Sequence, residues 1–463
     1  MLIILDFHNL VKHDLKFFME VRIGEVDLKI PLYDFKHIAR EIEGLKDNKE
    51  LFEEKSTDEI ISFFHALGCF LKKKSFRKRI RHILSKMYEK SEKLIDAEID
   101  ELISFFDIKN LKELIRAELG YENILDKFVP VNKHVLVKRK PRGVIFHSLA
   151  GNTYITGPLS LMLGFLTKNT CLIKVSHEDP WFLNEFIKCF DQIDPDFKKF
   201  VSIIYYRGSD YEILENVVKN VDAIVHWGGP ESEKSIRKAG AEWNIPVISH
   251  GPRFGIEYIE FCHLTQDEIK NLCKKIVDDI TLWEGEACFS PKFIFVDHID
   301  EEIIETFKNA LQEQSKKIPL LKSPQKTVRY VELSQELIIE EYLNRGKVLL
   351  SDKSDWIIYY TDFKNLNLRI LNDVRERTVY LVKATKKEFI EFLKNSKDLK
   401  QFYQTLGYNG KDLNFIEEVA KAGIFHICEP GFMGVKIGGS SHDGIYNLAE
   451  LTIPVSIQKV EEV

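Results

Sequence analysis

The chain has 463 residues, 44% of them hydrophobic and 30% charged, a balance that fits a globular protein of two or three domains. A net charge of −6 gives no support to a nucleic-acid role, and no run of about 18 apolar residues marks a membrane span. The seven cysteines are scattered, with no C-x-x-C and no Cys/His set at zinc spacing, so a reducing cytoplasmic compartment and no metal are expected.

In chain order, residues 2–5 and 21–23 read as short strands. From about residue 33 to 124 the pattern is helical and heavily charged. Ile60, Ile61, Phe63, Phe64 and Leu67 form one apolar face; Ile99, Leu102, Ile103 and Phe106 form another. Residues 72–81 carry the one strong basic run, either a solvated helix face or an anion patch. Residues 131–140 alternate as one extended strand, a candidate oligomerising edge. From Pro141 a β-α-β-α rhythm begins. Strands are expected at 144–146, 171–175, 201–205, 223–226 and 246–249, with helices at about 156–166, 181–190, 210–218 and 231–239. Apolar strands with crossover helices predict a parallel sheet with ligands at the strands' carboxyl ends. A second α/β segment follows Phe261, with strands at 293–296, 328–333, 356–360, 378–382 and 424–427. A glycine-rich stretch, 431–444, precedes an alternating tail strand at 451–457. The domains expected are therefore a mostly helical region at 1–125, a nucleotide-binding α/β domain at 126–260, a catalytic α/β domain at 261–430 and a closing segment at 431–463.

The chemistry centres on Trp283-Glu284-Gly285-Glu286-Ala287-Cys288-Phe289-Ser290-Pro291. A helix opened by the capping box Thr265-Gln266-Asp267-Glu268 precedes it and an apolar strand follows. Cys288 thus sits on a loop between two rigid elements, as a nucleophile should. The plainer alternative, a small buried hydrophobe, suits a glycine- and acid-flanked cysteine less well. Asn152, in the loop after the first parallel strand, is placed to donate to a developing oxyanion, although turn chemistry accounts for it too. Lys174 ends a strand where a cation reaches ribose or phosphate. Gly228 and Gly229 end a strand and open a helix whose N–H groups suit a pyrophosphate. There is neither a G-x-G-x-x-G nor a Walker A motif.

Taken together these positions resemble the aldehyde dehydrogenase superfamily. A Pro-x-Gly-Val strand leads to an Asn loop, a strand ends in Lys, a Gly-Gly turn follows, and Gly-x-x precedes Cys288. Gly431-Phe432-Met433-Gly434-Val435-Lys436 is similar to the superfamily's closing segment. Within it, Ala150-Gly151-Asn152, Lys174-Val175-Ser176-x-x-Asp179-Pro180 and Gly285-Glu286-Ala287-Cys288 look like the acyl-CoA reductase family of the bacterial luminescence fatty acid reductase complex. The resemblance spans about residues 141 to 455.

It implies an α/β, aldehyde dehydrogenase-like fold: two parallel-sheet domains, a helical N-terminal region and an oligomerisation strand pair. It implies reduction of fatty acyl-CoA to aldehyde through a Cys288 thioester, with Asn152 in the oxyanion site. Lys174, Ser176, His177, Gly208, Gly228 and Gly229 would bind the cofactor. His177 stands where NAD-preferring members often have a glutamate, so NADPH is expected, with NADH the alternative. His250 stands where hydrolytic members carry the glutamate that activates water. This favours acyl transfer between thiols, with His250 as acid or base or as a structural hydrogen-bonder. The basic run at 72–81 would then meet coenzyme A phosphates. Acyl-synthetase or acyl-transferase partner subunits, a homodimer or homotetramer, and no membrane insertion are further implications. An aldehyde dehydrogenase making an acid, a reductase of acyl phosphates or acyl-adenylates, and a non-catalytic scaffold for an acyl-transferring partner are the alternatives.

Overall fold

A computed structural model describes residues 1–434 and 438–458. The first alternating stretches pair as β1 (Leu2–Ile4), β2 (Phe18–Ile23) and β3 (Val26–Pro31), ordered β1-β3-β2. The turn between β2 and β3 demands glycine: Gly24 has φ +53, and a Cβ there would meet the Lys86 carbonyl oxygen at 2.1 Å. Helices Phe35–Asp47, Thr57–Leu71, Lys74–Tyr88, Glu92–Phe105 and Ile108–Leu119 follow. Ser56 and Glu59 close a capping box on the second of these. The expected apolar faces are buried. The basic run is partly neutralised, with Arg77 paired to Asp100 and Arg79 to Glu185.

The expected strand at 131–140 is instead a hairpin, β4 (Val129–Asn132) and β5 (Val135–Pro141). Asn132 Oδ1 accepts the His134 N–H at 2.9 Å, and this Asx turn reverses the chain. β6 (Val144–Ser148), β7 (Thr170–Lys174), β8 (Val201–Ile204), β9 (Ala223–Trp227) and β10 (Val247–His250) then form the parallel sheet, ordered β10-β9-β6-β7-β8. The N-terminal helices share the core under this sheet. Phe63 stacks on Phe197 at 3.8 Å and Phe52 on Phe200 at 4.0 Å, each pair contributing about 0.5–1.5 kcal/mol beyond burial. Met1–Tyr88, Ile99–Pro252 and Ile437–Val463 accordingly form one compact unit.

The second unit is Glu89–Glu98 with Arg253–Lys436. Its sheet contains β11 (Phe254–Ile259), β12 (Pro291–Val296), β13 (Lys347–Leu350), β14 (Ile357–Asp362), β15 (Thr378–Lys383), β16 (Tyr403–Tyr408) and β17 (His426–Cys428), ordered β13-β14-β15-β12-β11-β16-β17. All pairs are parallel except β13 with β14. Two expectations are corrected here. The unit begins at Arg253 rather than near 261, because β11 pairs with β12 and β16. Residues 328–333 are not a strand but lie inside the helix Pro324–Tyr342. The Ser323 side chain caps that helix, Pro324 occupies its first turn, and Leu333 and Leu337 are buried one turn apart.

β18 (Thr452–Gln458) returns antiparallel to β5, giving the small sheet β18-β5-β4. Val435 and Lys436 of the expected closing segment lie outside the described residues. Just before them, the Gly431 and Met433 N–H groups donate to Asp279.

Candidate active site

Cys288 sits as expected between a rigid helix and a rigid strand. The helix Gln266–Thr281 starts in the predicted capping box, with Glu268 Oε2 accepting from the Thr265 N–H at 2.8 Å. β12 starts three residues beyond the cysteine. Between them the backbone is forced through three successive left-handed residues: Trp283 (φ 63), Glu284 (φ 50) and Gly285 (φ 74). The first two are not glycine, and each costs about 1–3 kcal/mol unless its surroundings over-determine it. The turn at Cys288 is closed by the Ser290 N–H on the Ala287 carbonyl at 3.0 Å. It is tied to β11 by the Gly255 N–H on the Ser290 carbonyl at 2.9 Å. A Cβ at Gly255 would sit 2.1 Å from the Phe289 carbonyl oxygen, so the close approach requires glycine. Cys288 itself is half-buried. Its Sγ accepts a hydrogen bond from Gln404 Nε2 at 3.3 Å.

A buried charge network holds the left-handed run. Lys326 Nζ donates to Glu284 Oε2 at 2.6 Å and to the Glu89 carbonyl at 2.7 Å. Lys90 pairs with Glu98 at 2.7 Å, both almost fully buried, and lies 5.6 Å above the Trp283 ring. The Glu376 N–H donates to the Glu284 carbonyl at 2.8 Å, and Arg375 reaches Glu286 at 3.3 Å. Lys292 Nζ donates to the Gly285 carbonyl at 2.8 Å and the Val374 carbonyl at 2.7 Å; burial pulls its ammonium down to about 7. Burial also pushes the Cys171, Cys189 and Cys273 thiols up, which leaves the exposed Cys69 and Cys262 and the half-buried Cys428 as the rivals of Cys288.

In the first unit, the sheet order reverses between β6 and β9, the crevice where open α/β sheets take ligands. Ser148 pairs in register with Lys174 and with His226, and Trp227 with His250, so these residues end their strands together. Asn152 is exposed on the loop after β6. Gly151, beside it, approaches the neighbouring loop: a Cβ there would lie 2.8 Å from Ser176 Oγ and 2.3 Å from Glu178 Cβ. Lys174 Nζ lies 5.0 Å over Tyr206 and 5.7 Å over Tyr205. Burial pulls its ammonium down to about 8, and no carboxylate forms an ion pair with it among the described residues. His177 is exposed, and Gly208 lies in an exposed loop with open space around it. A side chain at Gly228 would displace its neighbours, since a Cβ would meet His226 Cε1 and Ser232 Oγ at 2.7 Å. Gly229 caps the helix Pro230–Glu242, whose first turn carries Glu231 and Glu233. Those two acids already complement the helix dipole, which weakens the expected pyrophosphate site.

His250 is buried and doubly engaged. Nδ1 lies 2.8 Å from Asp443 Oδ2 and Nε2 lies 2.9 Å from Asn447 Oδ1, while the ring stacks on Trp227 at 4.1 Å. Asp443 (φ 56) and Gly444 (φ 77) make the tight turn that delivers the carboxylate, closed by the His442 and Ile445 backbone. His250, His442 and Asp443 bring one nitrogen or oxygen each within 4.8 Å of one another, but both His250 nitrogens are already committed to hydrogen bonds, which does not suit a metal ligand. No local sequence signal points to this grouping, because His250 and Asp443 are 193 residues apart.

Comparison with known proteins fits this arrangement. A model of the family described as Acyl-CoA reductase (LuxC) matches residues 52–453. The chain belongs to the acyl-CoA reductase (LuxC) family. The long-chain acyl-protein thioester reductase of Aliivibrio fischeri is 25% identical over 411 residues, covering 87% of this chain and 82% of that protein. That of Vibrio harveyi is 23% identical, covering 95% and 90%. Among solved structures, aldehyde dehydrogenase 21 from Physcomitrella patens aligns with TM-score 0.73 at 14% identity over 96% of this chain and 95% of that one. Glyceraldehyde-3-phosphate dehydrogenase GapN from Methanocaldococcus jannaschii, complexed with NADP, aligns with TM-score 0.67 at 16% identity over 94% and 96%. The fold is thus aldehyde dehydrogenase-like, and LuxC membership makes the chain an acyl reductase.

The LuxC chain also holds site residues that the sequence reading missed: Gln404, Glu284, Lys326, Lys292 and Asp443. Only Gln404 left a signal, as an amide flanked by aromatic and β-branched residues in a run that otherwise reads as a buried strand. Among the described residues no helix is long and apolar enough to cross a membrane.

Proposed function

We propose that this LuxC chain reduces a long-chain acyl thioester to an aldehyde through a covalent thioester on Cys288. The observation that carries this reading is the half-buried Cys288 on an over-determined turn, with a side-chain N–H donor on its sulfur. Cys288 Sγ attacks the thioester carbonyl, the donor thiol leaves, and Asn152 with the Cys288 backbone N–H stabilises the oxyanion.

Lys174 and the loops at Gly151, Ser176, Gly228 and Gly229 would hold a nicotinamide dinucleotide. The fit rests on the half-buried Lys174 ammonium, which has no ion-paired acid among the described residues and ends its strand in register with Ser148, just before the Gly151 loop. Bound there, the cofactor supplies hydride. NADPH is favoured because the exposed His177 brings no negative charge against a 2′-phosphate; His177 and Gly208 would touch only its outer part.

His250 serves better as an anchor for the turn at Asp443 than as an acid or base, because both its ring nitrogens are already engaged. No carboxylate stands at position 250 to activate water, so a thiol rather than water exchanges the acyl group.

The donor is acyl-CoA or a protein-borne acyl thioester. The relatives' names point to the second, and an acyl-transferring partner subunit follows from it. Self-association is assigned to the sheet β18-β5-β4, where Ile453, Val455, Ile457 and Val131 are exposed. The test is NADPH oxidation with a series of acyl-CoAs and with an acylated protein thiol, for wild type and Cys288→Ala, with the product identified. Aldehyde from wild type and none from the variant is expected. Full activity in the variant, or carboxylic acid as the product, overturns the reading.

A further inference from the structure

Gln404 occupies β16, in the run Tyr403-Gln404-Thr405-Leu406-Gly407-Tyr408, where every residue is buried. Glutamine is seldom fully buried, and an amide there is costly unless hydrogen bonds replace water. Both ends of this amide are engaged. The Thr405 hydroxyl donates to Oε1 at 3.2 Å, and Nε2 donates to Cys288 Sγ at 3.3 Å. In this orientation the end that faces the sulfur is the N–H end, and the Thr405 hydroxyl serves as its partner on the other side. The backbone beneath it is fixed. β16 lies between β11 and β17, and the Gln404 carbonyl accepts the Phe425 N–H at 3.2 Å. The amide is therefore held by the interior of a sheet, while the sulfur it faces rides on a loop.

We propose that Gln404 is a catalytic residue of this enzyme: its amide stabilises the Cys288 thiolate, both as the attacking nucleophile and as the group that leaves when the aldehyde is freed. The inference rests on the thioester reading above. An N–H donor binds a thiolate more strongly than a thiol and so lowers the thiol's pKa. A neutral amide does this moderately, which preserves nucleophilicity that a strongly depressed pKa would sacrifice.

In the first step the Sγ–carbon bond forms and the carbonyl electron pair moves to oxygen. The pair then returns, and the bond to the donor thiol breaks with its electrons on that sulfur. In the last step, once hydride from the nicotinamide cofactor has reached the acyl carbon, the oxyanion re-forms C=O. The carbon–Sγ bond then breaks with its pair on Sγ. Negative charge thus appears on Cys288 Sγ before the first step and again after the last, and the same N–H meets it both times.

The test uses the full chain with Gln404→Met, which keeps length and removes the donor, and Gln404→Glu, which sets a carboxylate beside the sulfur. Alkylation of Cys288 by iodoacetamide is followed against pH by peptide mass spectrometry, without substrate, alongside kcat and KM for acyl-CoA reduction. Gln404→Met should raise the alkylation midpoint by about one pH unit, slowing the reaction about tenfold at neutral pH. Gln404→Glu should raise it further, and kcat should fall about tenfold in Gln404→Met and more in Gln404→Glu, with KM little changed. A Gln404→Met midpoint within about 0.3 units of wild type overturns the proposal. Should that variant fail to fold, Gln404→Glu decides in the same way, an unshifted midpoint again overturning it. If wild type reduces no acyl thioester and yet the midpoint shifts, the thiolate-stabilising role stands and the thioester reading falls.

Discussion

Removing the ammonium of Lys326 tests the claim that a buried charge network holds the Cys288 loop. Lys326→Met is close in volume, so packing changes little and charge changes entirely. Glu284 is 3% exposed, and its Oε1 already has no hydrogen-bond partner among the described residues. The variant leaves that carboxylate buried with no ammonium on Oε2, and the Glu89 carbonyl loses its donor. Breaking one side of a buried pair costs about 3–5 kcal/mol. For a cooperative unit of roughly two hundred residues this lowers Tm by about 6–20 °C. Adding Glu284→Gln removes the stranded charge, so the double variant should recover much of the loss. Thermal and urea unfolding of the four species form a double-mutant cycle, and a coupling energy above about 1.5 kcal/mol is expected. A coupling below about 0.5 kcal/mol would show that the pair is hydrated, and the loop argument would fail.

Three further outcomes follow from the geometry. Lys174, pulled down to about 8 by burial, loses its charge as pH rises through that value. The cofactor KM should therefore climb above pH 8 in wild type, and be high and flat with pH in Lys174→Met, as initial rates will show. Lys292, pulled down to about 7, is neutral when folded but still protonated when unfolded, up to about pH 10.4. Stability should rise with pH across that window by up to about 1.4 kcal/mol per unit and be level below it, and urea midpoints of Lys292→Met should lack this slope. Gly228→Ala forces a Cβ to 2.7 Å from His226 Cε1 and Ser232 Oγ. It should cost about 1–3 kcal/mol and weaken NADPH binding by fluorescence titration, while leaving Cys288 alkylation unchanged.

The sequence disclosed what is encoded locally. The capping box at Thr265, the apolar face behind it and Pro291 beyond Cys288 are contiguous signals, and the structure follows them. So are the alternating apolar strands from Val144 to His250 and the Asn152 loop. Residues 328–333 are helical rather than extended because Ser323-Pro324 supplies the same kind of helix-start chemistry as Thr265, and this outweighs the β-branched Val328 and Val331. β11 escaped because Gly255 and Glu257 interrupt its hydrophobic run; both are explained only by neighbours distant in sequence. Gly255 makes room for the Phe289 carbonyl. Glu257 is buried, and the cost of burying it pushes its carboxyl well above the usual range. The same distance hid Gln404, 116 residues from Cys288, and Asp443 beside His250. A residue whose partner is supplied by another sheet strand or a late turn leaves at most a compositional oddity behind.

The backbone at 283–285 shows why the loop before Cys288 could not be built from flexible residues. Glycine at Trp283 and Glu284 would relieve the left-handed strain at once. It would also delete the two side chains that fix the turn: the Trp283 ring, fully buried beneath Lys90, and the Glu284 carboxylate on Lys326. Gly285 is held only through its backbone, by Lys292 on its carbonyl, and there a Cβ would press to 3.1 Å from Arg375 Cα. The turn thus accepts strain at two positions because the side chains there hold it rigid, and uses glycine at the third because the backbone of the next segment crosses it. A nucleophile that must attack, carry an acyl group and leave from one position relative to Gln404 needs that rigidity more than it needs the free energy lost to the strained angles.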